Sequence, residues 1–320
     1  MGSPTERIVF LDRDTFQARF KRPSFDHEWR DYPSTAPDQI VERLRGATIA
    51  ITNKVPLGER ELSALPDLRM IAVAATGVDR IDLAYCRQRG ITVANVPDYA
   101  RHTVPEHVFM LILALRRNLI AYREALQRGA WQRAATFCLL DYPIHDINGS
   151  VLGIIGYGLL GRAVARLARA FGMRVLIAER RNAAQRRPGR ASFEEVLRQS
   201  DIITLHCPLT PETRGLIGAA ELEMMRPTAL LINCARGGLV DEGALAAALR
   251  AGRIAGAGFD VLADEPPRAG NPLADLHLAN FIQTPHIAWA SLEAMQMLAD
   301  SVVDNIEAFI RGEPKNVVRG

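Results

Sequence analysis

The chain has 320 residues, 48% of them hydrophobic, with 39 Lys and Arg against 36 Asp and Glu and a formal net charge of +3. With no basic block longer than a pair such as Arg186–Arg187, this composition excludes a nucleic-acid footprint built on a clustered basic face, and it also excludes a disordered chain. The length predicts two domains at roughly 150 residues each, and the longest apolar run, Val108–Leu115, is far short of the ~20 residues a membrane helix needs.

In chain order, Met1–Glu6 is expected to be a flexible tail. The apolar stretch Ile8–Leu11 is too short for a signal-peptide core and acidic residues follow at once, so a cytoplasmic location is expected. Short β-rich runs then alternate with helical patterns. A first set of strands is predicted at Ile8–Leu11, Thr48–Thr52, Met70–Ala74 and Thr92–Asn95. Val96–Pro105 reads as a linker. At its end Thr103–Val104–Pro105–Glu106 fits a capping box with Pro in the first helical turn. The helix it opens is apolar almost all round through Leu115, as expected of one wedged between two domains.

A second set of strands is predicted at Val151–Ile155, Arg174–Ala178, Ile202–Leu205, Ala229–Asn233, Gly256–Val261 and Phe281–Gln283. Apolar on both faces and separated by helices, all these runs read as parallel strands in βαβ units. The class is therefore α/β, doubly wound twice over. Ser291–Arg311 carries Met295, Leu298, Val302, Ile306 and Phe309 at helical spacing and is closed by Gly312 and Pro314. The pattern leaves open which domain this helix packs on. The cysteines, Cys86, Cys138, Cys207 and Cys234, lie far apart without CxxC spacing and are expected to be reduced, buried thiols. No set of His, Cys or carboxylates has metal spacing, and no metal is expected.

Val151–Ile155 runs directly into Gly156–Tyr157–Gly158–Leu159–Leu160–Gly161, followed by a helical pattern. The first glycine allows a tight turn, the second lets a pyrophosphate approach the backbone, and the third lets helix and strand pack closely, with helical N–H groups facing the anion. The next strand leads to Glu179, eighteen residues after Gly161. A carboxylate there can accept hydrogen bonds from an adenosine ribose and repel a 2′-phosphate. Arg180 and Arg181 follow and could receive that phosphate or be solvated surface. NAD(H) is the preferred cofactor on this reading, with NADP(H) left open.

Three further segments stand at strand ends, where open α/β sheets place ligand chemistry. They are Asn233–Cys234–Ala235–Arg236–Gly237–Gly238, then Gly256–Val261 continuing to Glu265–Pro266, and Thr284–Pro285–His286–Ile287–Ala288–Trp289. Reducing a 2-keto acid needs a cation for the substrate carboxylate, a hydride donor and an acid for the new alkoxide. Arginine supplies a planar bidentate grip, and a histidine beside a carboxylate supplies the proton.

The motifs GYGLLG, NCARGGLVDEGAL, GAGFDVLADEP and TPHIAWAS resemble those of the D-isomer-specific 2-hydroxyacid dehydrogenase family, over Ile8 to about Val317. VFLDRDTF, ITNKVPL, AERR and HIAWAS are most similar to its glycerate dehydrogenase (hydroxypyruvate reductase) branch. The resemblance implies a catalytic trio of Arg236, Glu265 and His286, with His286 and Glu265 paired. It implies that Asp260 holds the nicotinamide amide and that Cys207–Pro208 and Cys234–Ala235 line the cofactor, to which Thr103 and Thr213 are added. It further implies a discontinuous flavodoxin-like substrate domain, residues 1–100 plus 290–320, a Rossmann dinucleotide-binding domain, residues 101–289, and a homodimer whose arm includes Arg128–Trp131.

Ala75–Thr76–Gly77–Val78–Asp79 also matches a family segment, where successive N–H groups after a strand can form an anion nest for the substrate carboxylate. Thr76, Gly77 and Val78 are therefore candidate substrate contacts, joined by Asn53 and Trp289, with Lys54, Tyr99 and Arg101 as further pocket candidates. His206 ends a strand and is expected in the core or beside the cofactor, whereas His27, His102, His107, His145 and His277 get structural readings. The function expected is NAD(P)H-dependent reduction of hydroxypyruvate or glyoxylate to the D-2-hydroxy acid. The alternative is a dinucleotide-sensing, corepressor-like binding protein on the same fold. Formate oxidation is disfavoured, because that branch is expected to carry Gln where Glu265 stands.

Overall fold

The computed structural model describes residues 5–318. It divides into two compact units, Met1–Ala100 with Ala290–Gly320, and Arg101–Trp289.

The first unit is built on β1 (Glu6–Phe10), β2 (His27–Asp31), α1 (Ile40–Leu44), β3 (Ile49–Thr52), α2 (Glu59–Leu62), β4 (Met70–Val73), α3 (Leu83–Arg89) and β5 (Thr92–Ala94). Its strands form one all-parallel sheet in the order β2-β1-β3-β4-β5, the flavodoxin-like arrangement. Every residue of β3 and β4 is buried, as runs rich in β-branched and aliphatic residues require when both faces are covered.

The second unit contains α4 (Thr103–Arg116), α5 (Leu119–Gln127), β6 (Val151–Ile155), α6 (Leu159–Ala170), β7 (Arg174–Ile177), α7 (Phe193–Gln199), β8 (Ile202–Leu205), α8 (Ala219–Met224), β9 (Leu230–Asn233), α9 (Glu242–Arg250), β10 (Gly256–Phe259) and β11 (Phe281–Gln283). Its parallel sheet runs β11-β10-β9-β8-β6-β7. Beyond β7 a further strand is reduced to one parallel bridge between Ala178 and Ala191, so the crossover leading to it, residues 180–190, is loop rather than helix. The chain reverses direction across the sheet between β6 and β8, and a Rossmann-type sheet binds its ligand at that switch point.

Helix starts follow the capping rules where a polar side chain is free to serve. Ser192 Oγ accepts from the Glu195 N–H at 3.1 Å while the Glu195 carboxylate takes the Ser192 N–H at 2.7 Å, opening α7 with a capping box. The last helix, α10 (Leu292–Ile310), is capped by Ser291. It packs on β4 of the first unit, which resolves the choice that its amphipathic pattern left open. Residues 17–24 strap α10 down: Lys21 pairs with Asp304 at 2.5 Å, and the Ser24 N–H reaches Glu307 at 2.9 Å.

Three expectations are corrected. Within the expected Met1–Glu6 tail, Met1–Pro4 lie outside the described residues, but Glu6 opens β1 and its carboxylate receives Thr48 Oγ1 at 2.6 Å and Arg69. The strand β2 has no counterpart in the apolar pattern, because an edge strand with a mostly exposed HEWRD sequence carries no buried run. Thr103 does not cap α4. His102 holds that position without a side-chain bond, Thr103 is already helical, and its hydroxyl donates instead to the Ala288 carbonyl at 3.0 Å. Pro105 still falls in the first turn, where a missing N–H costs no intrahelical bond.

Candidate active site

The glycine loop leaves β6 at its carboxyl end. Gly156 has φ 95°, and a Cβ there would lie 2.5 Å from the Cys207 backbone nitrogen. A Cβ on Gly161 would lie 2.2 Å from the Gly156 carbonyl oxygen, which is the close helix–strand contact that the third glycine permits. Gly158 is the extended residue before α6, with nothing within 4 Å of where its Cβ would be. Leu159 and Leu160 form the first turn of α6, and no side chain caps it. A cavity of about 330 Å³ opens beside this turn, lined by Arg101, His102, Leu159, Arg162, Ala163 and Arg166. Open backbone, an uncapped twelve-residue helix and basic side chains fit a pyrophosphate.

Glu179 follows the end of β7 and is only 6% exposed. Its Oε1 accepts the Arg180 N–H at 2.8 Å and Arg187 Nη2, and its Oε2 accepts Arg187 Nε at 2.8 Å and the Arg187 N–H at 3.0 Å. The Arg187 guanidinium, aided by the two backbone N–H groups, holds this carboxyl well below the usual range. The neighbouring arginines diverge. Arg181 pairs with Glu221 at 2.6 Å and stacks over Phe193. The Arg190 guanidinium lies over Tyr157 of the glycine loop, 5.1 Å from the ring centre, and donates to the Ala178 carbonyl at 3.2 Å. Arg180 is exposed. Arg187 was not among the sequence candidates, because a loop residue eight positions from its partner follows no helical or strand period.

Arg236 leaves β9 on a turn that Asn233, 1% exposed, ties from within. Asn233 Nδ2 donates to the Arg236 carbonyl at 2.9 Å, and its Oδ1 accepts the Ala235 N–H at 3.1 Å. The turn runs against the segment after β10 so closely that a Cβ on Gly237 would lie 1.8 Å from the Leu262 carbonyl oxygen. Three residues on is Glu265, whose Oε1 accepts the Leu262 N–H at 2.8 Å and whose Oε2 lies 2.5 Å from His286 Nδ1. A carboxylate can only accept, so Nδ1 carries the hydrogen toward Glu265 and Nε2 is the nitrogen turned away.

His286 has φ 57°, a left-handed conformation rare for a side-chain-bearing residue, and a buried carboxylate supports it. Asp260 accepts Thr284 Oγ1 at 2.5 Å and the Ile287 N–H at 2.9 Å on Oδ1, and the Ala288 N–H at 2.8 Å on Oδ2. The His286 N–H donates to the Asp260 carbonyl at 2.8 Å, and Trp289 Nε1 donates to the His286 carbonyl at 2.9 Å. Thr284 Oγ1 also lies 2.9 Å from His107 Nε2, making His107 part of the scaffold behind the loop. Burial pushes the His107 imidazole below its ordinary value, against the opposing pull of Asp260.

The remaining candidates divide between the two units. Cys207 and Pro208 follow β8 beside Gly156, and the Thr213 hydroxyl closes their turn by donating to the Pro208 carbonyl at 2.7 Å. Burial raises Cys207 to about 11 and Cys234 well above its ordinary value, so neither is a thiolate near neutrality. Cys86 and Cys234 are buried as expected, whereas Cys138 and Cys207 are half-buried, and all four are free. In the first unit, Thr76 donates to the Val96 carbonyl at 2.8 Å, and Asn95 Nδ2 donates to the Thr76 carbonyl at 2.7 Å, so the Thr76–Gly77–Val78 turn is pinned at the carboxyl end of β4. Asn53 and Tyr99 are buried. The loop of Asn53 is organised by Asp12, whose carboxylate accepts the N–H groups of Asn53 at 2.9 Å, Lys54 at 2.6 Å and Val55 at 3.3 Å. Among the described residues no three His, Cys, Asp or Glu gather as a metal site.

Residues 109–288 match the family model described as the NAD-binding domain of D-isomer-specific 2-hydroxyacid dehydrogenases. A glycerate dehydrogenase of Methylorubrum extorquens is 54% identical over 98% of this chain and 99% of its own length. A hydroxypyruvate reductase of Blautia hydrogenotrophica is 37% identical over 89% of this chain and 88% of its own. An acyclic imino acid reductase solved with NADPH and D-Arg superposes with a TM-score of 0.84 at 28% identity, covering 98% of this chain and all of its own. Matched over more than half its length by the family model and nearly end to end by these relatives, the chain belongs to the D-isomer-specific 2-hydroxyacid dehydrogenase family.

Proposed function

We propose that this protein reduces a small 2-keto acid, hydroxypyruvate or glyoxylate, to the corresponding D-2-hydroxy acid, D-glycerate or glycolate. The observation that carries the reading is the His286–Glu265 pair at 2.5 Å, held on the same sheet edge as Arg236. When bound, the reduced dinucleotide supplies a hydride to the keto carbon. His286, oriented by Glu265 through Nδ1, gives the proton on Nε2 to the keto oxygen as that oxygen gains charge. Arg236 grips the substrate carboxylate with its planar fork. Asp260 positions His286 by holding the Thr284 hydroxyl before it and the Ile287 and Ala288 N–H groups after it.

The second unit is the cofactor-holding half, with Gly156, Gly158, Leu159, Leu160 and Gly161 at the pyrophosphate and Glu179 at the adenosine ribose. Cys207, Pro208, Thr213, Cys234, Ala235 and Asp260 follow strands on the same sheet edge, and Thr103 in α4 reaches the loop after β11 through the Ala288 carbonyl. The first unit is assigned the substrate through Asn53 and the Thr76–Gly77–Val78 turn. NADH is the expected preference, on an acidic residue, Glu179, at the ribose position, with NADPH also used. A homodimer is supported by the apolar side chains left in solvent along residues 119–144: Phe137 is 90% exposed and Leu140 77%, with Trp131 and Leu119 beside them in sequence. Free cysteines suit the reducing cytoplasm, and no described helix is long and apolar enough to cross a membrane.

Steady-state reduction of hydroxypyruvate and glyoxylate with NADH tests the reading. His286→Ala is expected to lower kcat by about 10²–10⁴-fold while leaving the NADH dissociation constant unchanged. A variant within threefold of the parent would remove His286 from the chemistry.

A further inference from the structure

We infer that Arg187 sets cofactor choice by clasping Glu179, so that the ribose-selecting carboxylate exists in a closed, charge-neutral form that admits a 2′-phosphate and an open form that takes ribose hydroxyls. This rests on the cofactor reading proposed above and deepens it. An ionised carboxylate offers about four acceptor positions. Arg187 and the Arg180 backbone together make four hydrogen bonds to Glu179. While the clasp is closed, no position remains for the ribose hydroxyls.

The closed pair also changes the electrostatics. A bare Glu179 beside a 2′-phosphate is like charge against like charge in a nearly buried site. Bound bidentate to a guanidinium, it presents no net charge. Arg187 spends two of its five side-chain donors on Glu179 through Nε and Nη2. The side chain is 54% exposed, so its remaining donors are within reach of an arriving anion. Arg190 over Tyr157 and the exposed Arg180 extend the positive surface between the glycine loop and the clasp. Arg181, which stands next to the acidic position in sequence, is committed to Glu221. Discrimination therefore comes from a residue eight positions away rather than from the one two positions away.

The test separates binding from turnover. Affinities of the full-length protein for 5′-AMP and 2′,5′-ADP are measured by calorimetry at low salt, beside kcat/KM with NADH and NADPH. Loss of a charge-assisted contact is worth about tenfold or more. Arg187→Ala is expected to weaken 2′,5′-ADP by that factor and NADPH kcat/KM with it, while 5′-AMP and NADH hold or improve. Glu179→Gln breaks the clasp from the other side and is expected to move both ratios toward the phosphorylated ligand. Arg186→Ala removes an equal charge one residue away, from a side chain paired with Glu195, and is expected to move neither ratio. Ratios unmoved by Arg187→Ala, or moved as much by Arg186→Ala, would overturn the clasp while leaving the dehydrogenase reading intact. Should Arg187→Ala misfold, Glu179→Gln decides alone, and unchanged ratios there also overturn the clasp. Failure of the parent to bind either nucleotide would overturn the clasp and the cofactor reading together, whereas nucleotide binding without keto-acid turnover would overturn only the reaction.

Discussion

The two parallel sheets end differently at their carboxyl edges. In the second unit the side chains proposed for catalysis are held by other side chains: His286 by Glu265, its loop by Asp260, and the Arg236 turn by Asn233. In the first unit the corresponding edge is organised by side chains that hold main chain. One buried carboxylate, Asp12, gathers the N–H groups of three successive residues, and Thr76 ties one turn to the next strand's exit. Proton transfer demands specific atoms in fixed directions, and interlocking side chains supply them. Under the proposed function, holding a small carboxylate asks for a shaped run of donors, and the main chain of the Thr76–Gly77–Val78 turn is the candidate for it.

The sharpest way to break the second arrangement is Gly237→Ala. The new methyl would meet the Leu262 carbonyl oxygen at 1.8 Å and the Ala263 nitrogen at 2.4 Å, both backbone atoms. One of the two segments must move, and they carry Arg236 and Glu265, two of the three residues proposed for catalysis. The expected result is a fall in kcat/KM of about 10²-fold or more, since misplacement by an ångström costs that much. Retained activity would show that Arg236 and Glu265 need not keep this spacing.

Asp12→Ala tests the first arrangement and is expected to be milder. It leaves three N–H groups without their acceptor in a site where the carboxylate is 3% exposed. Burial pushes the Asp12 carboxyl up, against the lowering by those N–H groups, so Asp12→Asn should keep the shape at less cost. The alanine variant is expected to raise KM for the keto acid about tenfold, one lost anchoring of 1–2 kcal/mol, with NADH affinity unchanged. An equal loss of NADH affinity would mean that the damage is global.

What the chain discloses as sequence follows the same division. Runs buried on both faces were legible, to the residue in β6 and β8 and to within one or two residues in β3, β4, β9 and β10. The polar edge strand β2 was invisible, because its pairing with β1 rather than its own pattern makes it a strand. The glycine loop, Arg236, Glu265 and His286 could be picked out because each stands just past a recognisable strand and its chemistry limits the residue type. Their supports could not. Asp12 acts across 41 residues and Thr103 across 185, and Arg187 acts from a loop without periodicity. Thr103 shows the hazard directly: a sound local capping pattern lost to a non-local carbonyl.

The smallest effect expected is on acid stability, and it lies in the second unit. His206 follows β8 with Nε2 3.0 Å from Thr204 Oγ1, and its enclosed Nδ1 has no partner among the described residues. Burial pushes its imidazole from 6.5 down to about 4. Between those values the unfolded chain binds a proton that the folded chain refuses, so stability falls as pH falls through the window. Relative to neutrality the loss at pH 5 is at most about 2 kcal/mol. His107 shifts in the same direction and adds to the slope, while Glu179, with its carboxyl held low, contributes only below about 4.5, again as a loss on acidification. The measurement is therefore a difference. Chemical denaturation of the parent and of His206→Gln at pH 7, 6 and 5 should show the parent losing more stability than the variant, with the gap widening toward pH 5. Asp12 in the first unit predicts no such gap, since its upward shift acts from about 3.8 and makes ionisation, not protonation, the unfavourable step. Parallel pH curves for parent and variant would show that His206 accepts its proton in the folded protein as readily as in the unfolded chain.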